Sequence, residues 1–270
     1  MFCLSFLLVT ATVANPVFVF NEDDSHFFGR PAEKMTEAGL LEYLDEVTAS
    51  GAVTHFFMCP NAMRANFDSK AFEPVWTAMS EPGRKPGWGP RVKLLHDRGI
   101  DPYAVWAKGC RARGVSPWLS MRMNDVHSVH DPLFCSHSTF WLKHPEFRRV
   151  PDAIVKNGGD WTKWALDYSH PEVRAYSLAF VKELLGRYDV DGIECDWMRF
   201  PEHLPPGREV EFSGCLNELV LSQCWGRTIP DAGTKSYPAR LAPWRWQAGR
   251  LSSAREARRL GYGCCAPFHP

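Results

Sequence analysis

The sequence predicts an α/β fold of the β/α-barrel type that is incomplete, with about four β/α units. Short runs rich in β-branched and aromatic residues alternate with amphipathic helical segments, which is typical of parallel crossover units. Polar side chains cluster where the predicted strands end, as they do at the active face of such barrels. A complete barrel typically needs about 250 residues, and the regular pattern in this chain of 270 residues stops near residue 212.

The first two units are predicted between residues 16 and 70. Residues 16–21 form the first strand, and Thr36 is the N-cap of the helix that follows it. Residues 52–59 form the second strand, which ends in a polar loop that contains Asn61, Arg64 and Asn66. The buried stripe of the helix is predicted to consist of Leu40, Leu41, Leu44 and Val47.

The third unit is marked by clear helix boundaries. Residues 80–90 are rich in Gly and Pro and are predicted to be irregular. Asp101 as N-cap, Pro102 at the first helical position and Gly114 just past the end then delimit a helix. A strand follows at 115–122, and the polar side chains at and after its end are those of Arg122, Asn124, Asp125 and His127.

The fourth unit carries two carboxyl groups on one strand. Ser169 and Glu172 predict a capping box for a helix that ends near residue 187. In the strand at 192–196, Glu194 and Asp196 share a side and lie roughly 6.6 Å apart along the strand. The apolar stripe of the helix is predicted to consist of Val173, Tyr176, Phe180, Val181, Leu184 and Leu185.

The pair Glu194 and Asp196 has two interpretations. If their side of the strand faces the barrel axis, burial and mutual repulsion push the two pKa values apart, which suits acid/base chemistry. Alternatively, both carboxylates form salt bridges with Arg122 and Arg199 and take no part in chemistry. Their placement at the carboxyl end of a strand favours the functional interpretation.

Several segments resemble a known family. GIDPYAVWAKGCRARGVSPWLSMRMNDVH at 99–127 and VDGIECDWMRFP at 190–201 resemble the bacterial glycosyl-hydrolase-like proteins called family 10-like, which differ from the xylanases of similar name. VFNEDDSHFF at 19–28 and the segment 53–70 are similar to the same group, so the resemblance spans about residues 16–212. It implies a TIM-barrel fold and the hydrolysis of glycosides.

A more distant resemblance bears on Asp196. The run GIECD at 192–196 resembles the fourth-strand motif of amylase-type hydrolases, which implies that Asp196 is the nucleophile. That motif has an arginine where this chain has Glu194. Because the acid of amylase-type barrels comes from the strand after the nucleophile, the resemblance leaves two candidates for the general acid, Glu194 and a residue from a later strand. Arg122 is expected to orient Asp196.

The predicted substrate-binding residues surround this pair. Trp197 has a second interpretation, in which it packs beneath the helices. The polar residues after the third strand also have a second interpretation, as a hydrogen-bonded network that caps a loop and does not bind substrate. The predicted set is Asn61, Arg122, Asn124, Asp125, His127, Trp197 and Arg199.

The charge distribution and the cysteine content bear on which partners and metals the chain is expected to bind. The 31 basic and 31 acidic residues are evenly mixed, which argues against a nucleic-acid groove or a polybasic membrane patch, and no apolar run is long enough to span a bilayer. Nine cysteines without a spaced framework predict buried thiols at Cys59 and Cys195. The spacing of Asp125, His127, His130, Asp131 and His137 fits no zinc signature, so neither a metal nor a cofactor is predicted.

Both ends of the chain depart from the β/α pattern. Residues 1–14 resemble the apolar region of a signal peptide with a cleavage site at 12–14, which predicts export to the periplasm or outside the cell. No Lys or Arg precedes that run, so a mis-assigned start or a buried first strand would look similar.

Residues 213–270 carry seven arginines and one lysine against three acidic residues. We interpret this tail as out-of-frame or foreign sequence, with a basic disordered extension as the alternative.

Four functional hypotheses follow for residues 15–212. The first is a glycoside hydrolase, and the second is a carbohydrate-binding protein without activity, which would be indifferent to Asp196→Asn. The third is an inactive truncated barrel, and the fourth is a metal-dependent sugar deacetylase, which chelators would inactivate. An open sheet leaves an unpaired edge, so self-association is expected as well.

Overall fold

The computed structural model describes residues 16–154 and 158–197, which form an α/β fold. Its four strands are β1 (Val19–Glu22), β2 (His55–Met58), β3 (Ser116–Arg122) and β4 (Gly192–Asp196). The α-helices are α1 (Asp24–Phe28), α2 (Glu37–Thr48), α3 (Gly89–Asp97), α4 (Pro102–Ala112), α5 (Thr139–Lys143) and α6 (Pro171–Arg187). Short 3₁₀ helices cover Ala32–Lys34, Val75–Ser80, Pro145–Phe147 and Gly158–Trp164.

The order of the strands identifies the type of sheet. All neighbouring strands are parallel, and they lie side by side in the order β1-β2-β3-β4. Successive units of a β/α barrel have this order, whereas a doubly wound sheet reverses its direction at a switch point. The predicted α/β fold class of the β/α-barrel type is therefore confirmed, and the described residues contain four strands in barrel order. In the described ranges no helix combines the length and the apolar character needed to cross a bilayer.

One face of the sheet is buried against the helices. Phe56 of β2 and Leu119 of β3 are fully buried on this outer face. Trp106 of α4 meets Phe56 edge to face at 5.8 Å between ring centroids and Tyr43 of α2 at 6.2 Å. The Trp106 indole N–H also donates a hydrogen bond to the carbonyl of Leu40 at 3.0 Å. The aromatic cluster around Trp106 therefore ties two helices to the sheet.

The opposite, inner face changes character along the strands. Trp118 of β3 stacks on Phe57 of β2 with 5.2 Å between ring centroids. On its other side, Trp118 pairs in register with Gly192 at the start of β4. Two steps further toward the carboxyl ends, the inner face becomes polar. The pairs there are Ser120 with Glu194 and Arg122 with Asp196.

The predicted helix boundaries are confirmed for α2 and α4. The Thr36 hydroxyl accepts a hydrogen bond from the backbone N–H of Gly39 at 3.0 Å. The Asp101 carboxylate accepts hydrogen bonds from the first N–H groups of α4. Gly114 has a φ of +69°, in the left-handed region that favours glycine after a helix end.

The predicted capping box at the start of α6 is wrong. The helix begins at Pro171 after His170, and no side chain caps it. Because proline at the first helical position lacks an N–H group, that position has no donor to cap. The backbone N–H of Ser169 instead donates to Asp167 Oδ1 at 2.8 Å. Leu185, predicted to be in the apolar stripe, is 47% exposed.

The segment predicted to be irregular, 80–90, is irregular only in part. Gly83 and Gly87 have positive φ angles there, but α3 already begins at Gly89. Pro90 stands in the first turn of α3, where proline needs no hydrogen-bond partner, so it starts a helix where a break was predicted. The first two strands are shorter than predicted.

The structure describes four cysteine side chains. Cys59, Cys110 and Cys135 are buried, and Cys195 is half-buried. The predicted burial is therefore confirmed for Cys59 and only partly for Cys195.

Gly192 is expected to be sensitive to substitution because a Cβ there would lie 2.3 Å from the Trp118 ring, which Phe57 holds in place. We expect Gly192→Ala to lower the free energy of unfolding by about 1–3 kcal/mol, measured by urea denaturation. Gly186→Ala is the matched control, because a Cβ in that helical position meets open space. The control should be neutral or stabilising by about 0.5–1 kcal/mol. Equal stability of the Gly192 variant and the wild type would contradict the close contact.

Candidate active site

Glu194 lies half-buried on the inner face of β4, one layer below the carboxyl end. The Ser120 hydroxyl donates a hydrogen bond to Glu194 Oε2 at 2.6 Å. Burial raises the pKa of Glu194 and the negative charge of Asp196 raises it further, while the hydrogen bond from Ser120 lowers it; the net direction is upward. A carboxyl group that keeps its proton to higher pH has the property that a general acid requires.

Asp196 occupies the last position of β4, on the same inner face as Glu194. It pairs in register with Arg122, and its carbonyl accepts a hydrogen bond from the Met123 backbone N–H at 2.8 Å. The ladder between β3 and β4 therefore extends to the rim of the sheet. Both predicted carboxyl groups stand at the carboxyl end of one strand, as the alternation indicated.

Arg122 joins carboxylates from two different parts of the chain. Its guanidinium binds Asp23, which follows β1, and Asp125 at 3.1 Å. Because β2 lies between β1 and β3, the Arg122 side chain reaches across the end of β2. The arginine thereby links the rims of the first and third units.

Buried Asp125 forms a hydrogen-bonded pair with partly exposed His127 beside Arg122. The Asp125 carboxylate accepts hydrogen bonds from the His127 backbone N–H at 2.8 Å and from Nδ1 at 3.2 Å. Burial opposes ionisation of Asp125, but the bonds and charges of His127 and Arg122 outweigh it and lower the pKa to about 2. The hydrogen bond to Asp125 in turn raises the pKa of His127.

The imidazole of His127 remains accessible at the rim. Its side chain is 41% exposed, and its ring lies edge to face with Trp161 at 6.0 Å. Because Nδ1 is directed to Asp125, Nε2 is the nitrogen available to an incoming ligand. An imidazole beside an aromatic ring offers a sugar both a hydrogen-bond donor and an apolar surface.

Asn61 and Asn124 hold backbone segments in the structure. Asn61 donates to the Arg122 carbonyl at 2.8 Å and accepts from the Arg122 N–H at 3.2 Å. Asn124 makes the corresponding pair of bonds with the backbone of Leu166, both at 2.9 Å. Both side chains are buried, so the structure gives them a positioning role. Their predicted direct contact with a sugar stays a prediction.

Trp197 is half-buried and contacts the core, which agrees with the second of its two interpretations, and its predicted contact with a sugar stays a prediction. Its ring packs edge to face on Tyr168 at 4.7 Å, and the Tyr168 hydroxyl is held by the Met123 carbonyl and by Ser177. Trp197 therefore packs against the core beneath the helices. Arg199 lies outside the described residues, as do the signal-peptide segment 1–14 and the tail 213–270.

Three residues of this cluster were not predicted from the sequence. Asp23 directly follows β1, and an acidic residue after a strand is a signal that could have found it. Ser120 shares the alternation phase of Arg122 on β3, which is also visible in the sequence. Trp161 stands in a 3₁₀ helix, for which the sequence offers no periodic pattern.

Of the residues weighed as a metal site, Asp125 and His127 contact each other, whereas Asp131 and His137 have other neighbours. Asp131 forms an ion pair with Lys85 at 2.6 Å. His137 is buried beside Trp141, and burial lowers its pKa to about 4. Within residues 16–154 and 158–197 there is no group of three or more His, Cys, Asp or Glu side chains placed to hold a metal ion.

Known proteins with similar sequences are glycosyl hydrolases. Over 166 residues the chain is 22% identical to glycosyl hydrolase DigH of Escherichia coli K12, and the same values hold for DigH of Escherichia coli O157:H7 and of Shigella flexneri. The alignment covers 60% of this chain and 34% of each relative. The chain thus spans about a third of the length of the curated relatives it matches.

A solved structure matches more loosely. The GH36 alpha-galactosidase AgaB from Geobacillus stearothermophilus has a TM-score of 0.39 and 13% identity, with 77% of this chain and 26% of that chain covered. No family model matches the chain.

The charge of Asp125 is expected to stabilise the rim. Asp125→Asn keeps the size of the side chain but leaves Arg122 and His127 without their shared carboxylate, so we expect the free energy of unfolding at pH 7 to fall by about 3 kcal/mol. Because the pKa of Asp125 is lower in the folded chain, at about 2, than its ordinary value of 3.8, this stabilisation is present above about pH 4. It is lost as the pH falls through about 2.

Urea denaturation of the wild type and of Asp125→Asn between pH 2 and pH 7 measures this difference. Asp131→Asn is the matched control, since the ion pair between Asp131 and Lys85 lies at the surface, and its effect should be much smaller. A difference between Asp125→Asn and wild type that stays constant down to pH 2 would show that the charge of Asp125 does not stabilise the rim.

Proposed function

We propose that this chain is part of a glycoside hydrolase of the family 10-like type that cleaves an oligo- or polysaccharide by two-carboxylate chemistry. The observation that carries the proposal is the placement of Glu194, with its raised pKa, on the same inner strand face as Asp196 at the carboxyl end of β4. Weak sequence similarity to glycosyl hydrolases over 166 residues supports it. The chain covers a third of those relatives, so the activity of the whole protein is part of the proposal.

The two carboxyl groups would divide the reaction between them. Protonated Glu194 gives its proton to the leaving glycosidic oxygen as the bond from that oxygen to the anomeric carbon breaks. Ionised Asp196 either attacks the anomeric carbon or takes a proton from the attacking water. The environments favour this division, because Glu194 is one layer deeper than Asp196 and is pushed toward its neutral form. A carboxylic acid from a later strand is the alternative acid.

The rim around this pair would bind the substrate. Arg122 supplies a cationic hydrogen-bond donor, His127 supplies an imidazole, and Trp161 supplies an aromatic surface beside His127. Asn61 and Asn124 would act indirectly, by holding the end of β3 and the loop around Leu166.

Replacement of either carboxylate is expected to abolish hydrolysis. We expect Asp196→Asn and Glu194→Gln each to lower kcat/KM by about 100-fold or more, measured on a panel of aryl-glycosides and polysaccharides, because each removes one of the two groups that the reaction needs. Asp189→Asn is the matched control, since Asp189 lies at the surface in an ion pair with Arg111, and it should leave the rate unchanged.

The same assay separates the other hypotheses. Oligosaccharide binding that survives Asp196→Asn, without hydrolysis by the wild type, would indicate a carbohydrate-binding protein. Release of acetate from acetylated oligosaccharides in the same panel, lost in a chelator, would indicate a metal-dependent deacetylase, because a two-carboxylate hydrolase needs no metal. Hydrolysis that persists in both carboxylate variants would overturn the proposal.

We also propose that two copies of the chain associate through the edge strand β1. In the part of the chain that the structure describes, β1 has only one neighbouring strand. Val17 and Phe18 just before β1 and Val19 at its start are all more than half exposed. We expect the mass in analytical ultracentrifugation to rise toward a dimer with concentration, and Val19→Lys to shift it back to the monomer. Ile154→Lys changes an exposed position away from the sheet and should have no effect. A monomer at every concentration would contradict the proposal.

A further inference from the structure

Ser120 is an unusual residue for its position. It lies on the inner face of β3, is 1% exposed, and pairs in register with Glu194. Inward positions of β/α barrels are mostly filled by branched apolar residues, and a buried hydroxyl group is unfavourable unless it forms a hydrogen bond. The hydroxyl of Ser120 bonds to Glu194 Oε2 at 2.6 Å. The hydrogen bond to the Glu194 carboxyl group therefore explains the presence of a serine at this buried position better than packing does.

The hydrogen bond from Ser120 involves only one of the two carboxyl oxygens of Glu194. Oε2 is held against β3, whereas Oε1 accepts no hydrogen bond from any residue that the structure describes. Fixing one oxygen removes the rotational freedom of the carboxyl group and so gives the other oxygen a defined position. We propose that Ser120 is a positioning residue that holds Oε2 of Glu194 and leaves Oε1 as the oxygen that transfers the proton. This inference rests on the proposed function.

Among residues 16–154 and 158–197, few charged groups face Glu194. On its own strand, Asp196 lies two residues further along, and its negative charge raises the pKa of Glu194. On β3, Ser120 lies beside Glu194, and Arg122 lies two register pairs further on, beside Asp196. Burial and Asp196 favour the protonated carboxyl group, and Ser120 favours the ionised one. Ser120 thus opposes the other two influences, which keeps Glu194 able to release its proton.

A direct titration tests this role in the 270-residue chain. The carboxyl resonances of ¹³C-labelled glutamate are followed by NMR against pH, and the Glu194 signal is assigned by its absence in Glu194→Gln. We expect the pKa of Glu194 to rise by about one unit in Ser120→Ala, because a hydrogen bond that stabilises the ionised form is lost. Ser120→Thr keeps the hydroxyl and should restore the wild-type pKa.

The matched control is Ser116→Ala. Ser116 lies on the same face of β3, and its hydroxyl also bonds to a carboxylate, Asp191 Oδ2 at 2.5 Å, but at the other end of the strand. Its loss should leave the pKa of Glu194 unchanged. Ser120→Cys keeps the size of the side chain with a weak donor and should give an intermediate pKa, which covers the case in which Ser120→Ala does not fold.

Kinetics supply the second measurement. If Glu194 is the general acid, activity is lost as it deprotonates, so the alkaline limb of the kcat/KM profile should move to higher pH in Ser120→Ala by the same shift as the pKa. We expect kcat to fall about tenfold because the proton-transferring oxygen loses its fixed position, and Ser120→Thr should recover it.

The outcomes separate the inference from the proposed function. An unchanged Glu194 pKa in Ser120→Ala, or a threonine variant that behaves like the alanine variant, would overturn the role of Ser120. The alternative outcome is that the pKa of Glu194 shifts in Ser120→Ala while Glu194→Gln and Asp196→Asn leave hydrolysis unchanged. This would overturn the proposed function and still support the coupling of Ser120 to Glu194.

Discussion

The register between β3 and β4 is the constraint on which the candidate active site depends. It places Ser120 beside Glu194 and Arg122 beside Asp196. A slip by one residue would turn both carboxyl groups toward the helices, because strand side chains alternate between faces. Gly192 helps to fix the register, since the Trp118 ring occupies the space that any side chain there would need. The close contact between Gly192 and Trp118 at the start of β4 thus helps to hold Glu194 and Asp196, at its end, in register with Ser120 and Arg122.

The rim above this register is held by side chains that bind backbone or one another. Asn61 fixes the backbone of Arg122, and Asn124 fixes Leu166. Arg122 then meets the carboxylates of Asp23 and Asp125. Burial makes these bonds effective, because a buried polar group without a partner is costly and a fully bonded network is rigid. The exposed imidazole of His127 stands on this network through its bond to Asp125.

Sequence periodicity predicted the layers of the fold and the pair Glu194 and Asp196, because alternation along a strand is a local property. The caps of α2 and α4 were predicted for the same reason, from Thr36 and Asp101. The start of α6 was predicted incorrectly, because the sequence has two local start signals, Ser169 and Pro171, and the helix begins at Pro171. The contact of Arg122 with Asp23, and the use of both asparagines to hold backbone, depend on tertiary approach, which no local pattern encodes.

The contact between Arg122 and Asp23 has a consequence for the order of folding. These residues are 99 positions apart, so their ion pair closes a long loop and gains little until β1, β2 and β3 have paired. The rim should therefore form late, after the aromatic cluster around Trp106 has joined the helices to the sheet. Substitutions in the rim would then accelerate unfolding and leave the rate of folding nearly unchanged. In such a chain, the part proposed to perform the chemistry is the last to assemble and the first to open.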